Sequence, residues 1–84
     1  MKSYLITFRS ITLAQRAEKV MEQNSIRCRI RRTPRWMEER GCGYAVEVKL
    51  IDIEQGLMLL RQEGIPFRKG YRLSQDGTVE EVML

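Results

Sequence analysis

The sequence predicts an α+β domain of the ferredoxin-like type: βαββαβ, a four-stranded antiparallel sheet with both helices on one face. Three observations predict it. Two stretches carry apolar residues at helical spacing. The segments between and around them are short, β-branched or strictly alternating. The chain, at 84 residues, is long enough for one core and no more.

The elements follow in order. Tyr4-Leu5-Ile6-Thr7-Phe8 is aromatic and β-branched, as a central strand should be. Ser10 or Thr12 offers an N-cap. Leu13, Ala14, Ala17, Val20 and Met21 then form one helix face that runs to about Asn24. At Ile26 the period changes to two, with Ile26, Cys28 and Ile30 alternating against Arg27, Arg29 and Arg31. Thr33 to Gly41 breaks the alternation and holds Pro34, so it reads as a loop. Tyr44, Val46, Val48 and Leu50 against Ala45, Glu47 and Lys49 restore it as a third strand. Asp52 is placed to cap a second helix with Ile53, Leu57 and Leu60 on its stripe, and Gly64 to end it. Phe67 to Leu73 reads as the last strand, with Phe67, Tyr71 and Leu73 on one face. Asp76-Gly77 signals a turn, and Thr78 to Leu84 fits either an added hairpin strand or a short helix. The expected domain is therefore 1–84, with a core over about 3–73 and an extension over 74–84.

Composition narrows the function. The chain is 43% hydrophobic and 31% charged, values of a globular protein and not of a disordered tail. No apolar run approaches the roughly 18 residues of a membrane span. The opening Met1-Lys2-Ser3-Tyr4 lacks the apolar core of a signal peptide, so a cytoplasmic location is expected. There is no histidine, which excludes Ser-His and Cys-His nucleophile pairs, and two cysteines alone fall short of a structural zinc set. No cofactor is expected, and a reducing compartment disfavours a disulfide between the cysteines. The net charge is +4, and six arginines crowd between Arg27 and Arg40. Such a segment attracts nucleic acid or a small anion, or is a solvated strand face and loop.

The two cysteines stand in different settings. Cys28 lies on the apolar parity of its strand, where burial raises a thiol pKa and makes it inert. Cys42 lies between Gly41 and Gly43, at the junction of loop and third strand. Two flanking glycines leave the sulfur unshielded and the backbone free. The expected topology also brings this hairpin to the end of the sheet where the first helix starts. Amides near Ser10 to Leu13 and the helix dipole favour an anion there. Arg9, Arg32, Arg35 and Arg40 are candidates for the same end. Helix N-termini and nearby cations lower thiol pKa values to about 3.5–7.5 and yield the thiolate. A tight strand start with an incidental cysteine is the other reading of Gly-Cys-Gly.

Thr33-Pro34-Arg35 followed by Cys42-Gly43-Tyr44-Ala45 resembles the signature of small bacterial proteins described as selenium/sulfur carrier-like. The resemblance extends over most of the chain, from Tyr4–Phe8 and the alanine-bearing first helix to Glu63-Gly64-Ile65 and Tyr71. It implies that Cys42 carries sulfur or selenium as a persulfide or selenopersulfide. It implies too that Pro34, Arg35, Gly41, Gly43 and Ala45 shape the site. Members commonly have small or hydroxyl residues before the cysteine, whereas Glu38-Glu39-Arg40-Gly41 stand here. The implied partners are a sulfur or selenium donor, such as a cysteine desulfurase, and an acceptor protein. The role is that of a carrier and not an enzyme.

Two other classes compete. Arg40-Gly41-Cys42-Gly43-Tyr44-Ala45-Val46 resembles the RNP1 stretch of RNA-recognition motifs. The first stacking aromatic is Cys42, however, and the last is Glu47. That alignment would bury Glu47 and expose Val46 and Val48, which costs several kcal/mol; RNA binding is not expected. The third class is a regulatory interaction domain, for which Trp36 and Met37 suit a protein contact or the underside of the hairpin.

Overall fold

The computed structural model describes residues 3–33, 43–74 and 76–82. Its elements are β1 (Ser3–Thr7), α1 (Ile11–Gln23), β2 (Cys28–Arg32), β3 (Tyr44–Lys49), α2 (Ile53–Gln62), β4 (Gly70–Leu73) and β5 (Val79–Val82). The sheet order is β2-β3-β1-β4-β5, antiparallel throughout. The first four strands and both helices are the expected ferredoxin-like core. The chain beyond residue 73 adds a fifth strand, settling the choice between hairpin strand and helix.

Ile6 and Phe8 from β1 and its end, Val46 and Val48 from β3, and Ile26 before β2 face the helices. They meet Ala14, Ala17 and Met21 of α1 and Ile53, Leu57 and Leu60 of α2. All are buried, which is the alternation and stripe written in the sequence. Ser10 caps α1, its Oγ accepting from the Leu13 N–H at 3.3 Å.

Both helices end in the same way. The Ile26 N–H donates to the Met21 carbonyl and Ser25 to Glu22; in α2, Ile65 donates to Leu60 and Gly64 to Arg61. In each the turning residue has a left-handed φ, +66° at Gly64 and +63° at Ser25. These are Schellman closures, and each buries the following isoleucine against the core. Ile26 thus serves as a helix stop, and β2 starts only at Cys28.

Two expectations need correction. Asp52 stands at the start of α2, but its side chain makes no capping bond. A 3₁₀ turn over Leu50–Asp52 leads into the helix and already gives Asp52 helical backbone angles. An N-cap needs extended ones. The last strand is also shorter than Phe67–Leu73, and Phe67 does not share a face with Tyr71. Phe67 packs on the helix-side core, whereas Tyr71 joins Leu5, Ala45 and Val79 on the opposite face. The cause is a β-bulge opposite Thr7: the Arg68 N–H donates to the Thr7 carbonyl, while the Thr7 N–H donates to the Lys69 carbonyl. The Thr7 hydroxyl accepts from the Lys69 N–H at 3.1 Å, replacing the missing backbone acceptor. One extra residue inverts the parity of everything before it.

Candidate functional site

The antiparallel pairing of β2 and β3 fixes where their connecting loop starts and ends. The Thr33 N–H donates to the Gly43 carbonyl at 2.9 Å, closing the base of the loop just beyond the pair Arg32–Tyr44. Thr33 is buried there, and the Arg32 guanidinium lies over the Tyr44 ring, 5.6 Å from its centre. Gly43 has φ +82°, a conformation that a side chain would strain. Ala45 is fully buried on the face away from the helices, beside Leu5 and Tyr71.

Register places this loop base in the molecule. Ala45 pairs with Thr7, the last residue of β1, and four residues later α1 begins. Gly43, Thr33 and the N-terminus of α1 therefore share one end of the sheet, as the topology predicted, and α1 packs on β2 and β3. A cavity of about 200 Å³ lies at this end, lined by Arg9, Leu13, Pro66, Phe67 and Arg68. Of the expected site residues, Gly43 and Ala45 are placed at the loop base and the start of β3. Pro34, Arg35, Gly41 and Cys42 lie outside the described residues, as does Trp36.

Cys28 is a half-buried free thiol on the helix side of β2. Its Sγ lies 3.7 Å from the Glu18 carbonyl oxygen. Loss of solvent, and then the charges of Glu18 and Glu22, push its pKa from 9.0 up to about 11. At neutral pH it has almost no thiolate, so it suits neither sulfur transfer nor resolution of a persulfide. Among the described residues no group of three His, Cys, Asp or Glu side chains can hold a metal ion.

The face away from the helices carries a cluster that sequence reasoning missed. Glu47 Oε1 accepts from Arg29 Nε at 3.1 Å and Arg31 Nη1 at 3.2 Å, and Oε2 accepts from the Ser3 hydroxyl at 2.8 Å. Burial pushes the Glu47 carboxyl up, but these three donors outweigh it and hold its pKa below the ordinary 4.5. A cleft of about 280 Å³ beside it is lined by Ser3, Arg27, Cys28, Arg29, Glu47 and Lys49. The arginine alternation was the available signal; its partner, 16 to 18 residues away, is visible only once the strand register is known.

This register also bears on RNA. Val46 and Val48 lie under the helices, and Glu47 sits on the opposite face, the reverse of the RNP1 parity. Tyr44 shares the parity of Val46, so it is no part of a stacking platform on the face away from the helices.

The family model described as "Putative Se/S carrier protein-like" matches residues 3–72. The chain belongs to this family. The match runs from the first residue of β1 into β4 and stops before β5, so the fifth strand lies outside it. No curated protein and no solved structure matches the chain. Among the described residues, no helix is long and apolar enough to cross a membrane.

Proposed function

We propose that this Se/S carrier-like domain accepts sulfur or selenium on Cys42 and passes it to a partner protein. The observation that carries the reading is the family match, which spans Cys42 and the elements on both sides of it. Three features support it. Cys42 is the neighbour in the chain of Gly43, whose left-handed backbone stands at the loop base. That base shares an end of the sheet with the N-terminus of α1, whose dipole favours an anion. Cys28, the other thiol, is pushed up to about 11 and is unsuited to the work.

The chemistry needs no metal and no general base. The Cys42 thiolate attacks the outer sulfur of a donor persulfide. The donor S–S bond breaks, the donor cysteine leaves as thiolate, and a new S–S bond forms on Cys42. Release reverses the pattern: an acceptor thiolate takes the outer sulfur, and Cys42 returns as thiolate. Sulfur moves at constant oxidation count, and a selenium atom follows the same path.

Incubation with a cysteine desulfurase and cysteine, read by intact mass, tests this. A gain of one sulfur that vanishes in Cys42→Ser is expected; no gain, or a gain retained in that variant, overturns it.

A further inference from the structure

β2 is an edge strand, and among the described residues nothing pairs with its outer side. The Thr33 to Gly43 bond fixes which backbone groups face inward. In an antiparallel ladder the hydrogen-bonded pairs alternate, so Arg29 and Arg31 point their amides and carbonyls at β3. Cys28, Ile30 and Arg32 point theirs outward, leaving three donors and three acceptors in a row. The side chains of this edge that point away from the helices are cationic. Arg29 and Arg31 share a single oxygen of Glu47, and Arg27 and Lys49 stand around the adjoining cleft. On the face away from the helices four cations thus face one carboxylate, while Glu18 and Glu22 act on Cys28 from the helix side.

The opposite edge is built differently. On β5, Glu80 pairs with Arg72 at 2.6 Å and Glu81 with Lys69 at 3.6 Å, so its acids are already matched.

We propose that the outer edge of β2 takes an extended, acidic segment of a partner protein as an added strand. Its backbone pairs with Cys28, Ile30 and Arg32, and its acidic side chains on the face away from the helices meet the exposed Arg29 and Arg31 and the Arg27–Lys49 cleft. A second copy of this chain fits poorly. Antiparallel self-pairing sets Arg29 and Arg31 against their own copies, and β5 has no surplus acid to offer. Nucleic acid fits poorly too: on the face away from the helices Leu5, Thr7, Ala45 and the Tyr71 ring are all buried, so among the described residues no ring stands exposed there to stack on, and Glu47 adds a carboxylate.

The test uses the full chain carrying Cys42→Ser, so binding is read apart from sulfur chemistry. The probe is an eight-residue peptide alternating Glu and Val, followed by fluorescence anisotropy and by amide hydrogen exchange. Binding is expected to protect the Cys28, Ile30 and Arg32 amides. It should weaken roughly tenfold or more in Arg29→Glu/Arg31→Glu. N-methylation of alternate peptide amides should abolish it in one phase and spare it in the other. Equal binding of both methylated phases, protection confined to other strands, no binding at about 1 mM peptide, or displacement of the peptide by a single-stranded RNA of equal length at lower concentration would each overturn it.

Discussion

The two ends of α1 create opposite electrostatic conditions along the sheet. At its start there is a capped N-terminus, no acidic residue in the first turn, and Arg9 just before it; Gly43 and Thr33 lie at that end. Further along, loss of solvent and then the charges of Glu18 and Glu22 push the Cys28 thiol up to about 11. One helix therefore suppresses a thiolate at one end of β2 while offering a favourable site for an anion at the other. The contrast that the proposed function draws between the two cysteines thus has two separable parts: the suppression of Cys28, and the activation of Cys42 expected of a carrier thiol.

The largest effect expected is in alkylation of the folded protein at pH 7.5. Even an ordinary thiol, with pKa about 8.5, is over 100-fold more ionised there than one near 11. Cys42 should therefore label on the order of 100-fold faster than Cys28. That ratio alone reports suppression. Activation is read from the pH profile of Cys42 labelling, whose midpoint should fall below about 8.5; a midpoint at or above it removes the helix from the account.

Smaller changes sharpen each source. Glu18→Gln with Glu22→Gln should speed Cys28 labelling several-fold and leave Cys42 unchanged. The effect is limited because loss of solvent is the first cause of the shift. Cys28 also sets an alkaline limit. Its pKa is higher folded than unfolded, so its contribution to stability is full below 9.0 and is lost as pH rises through about 11. Denaturant melts should show Cys28→Ala flattening that limb. Ser10→Ala should cost about 1 kcal/mol of stability and slow Cys42 labelling, because it frays the end of α1 that favours the anion. The smallest effect is at the other terminus: Ser25→Gly relieves a left-handed φ of +63° and should add a few tenths of a kcal/mol. A loss of stability there would contradict the Schellman closure.

Most of the fold was legible because local pattern and tertiary demand agree. The α1 stripe, the Ser10 cap and the Val46–Val48 parity are visible in the sequence and buried or bonded in the structure. Where they diverge, the deciding contact is distant. The parity of Phe67 turns on the bulge before Lys69, held by a threonine hydroxyl 62 residues from that lysine, which local alternation cannot register. β5 turns on its partner: Asp76-Gly77 announces the turn, with Asp76 Oδ1 accepting from Thr78 N–H at 2.9 Å. Val79-Glu80-Glu81-Val82 does not alternate, however, and becomes a strand by pairing with β4. At the site, Gly43 and the shared end with α1 followed from glycine chemistry and topology. The Glu47 cluster did not, since strand register alone joins its members.

The central claim is that Cys42, and not Cys28, carries the transferred atom. It is tested most directly in one molecule by loading the protein with a cysteine desulfurase and cysteine, trapping persulfides, and mapping them by peptide mass. Extra sulfur is expected on the Cys42 peptide, with Cys28 recovered as the plain thiol. Extra sulfur on Cys28, or equally on both, would contradict the account.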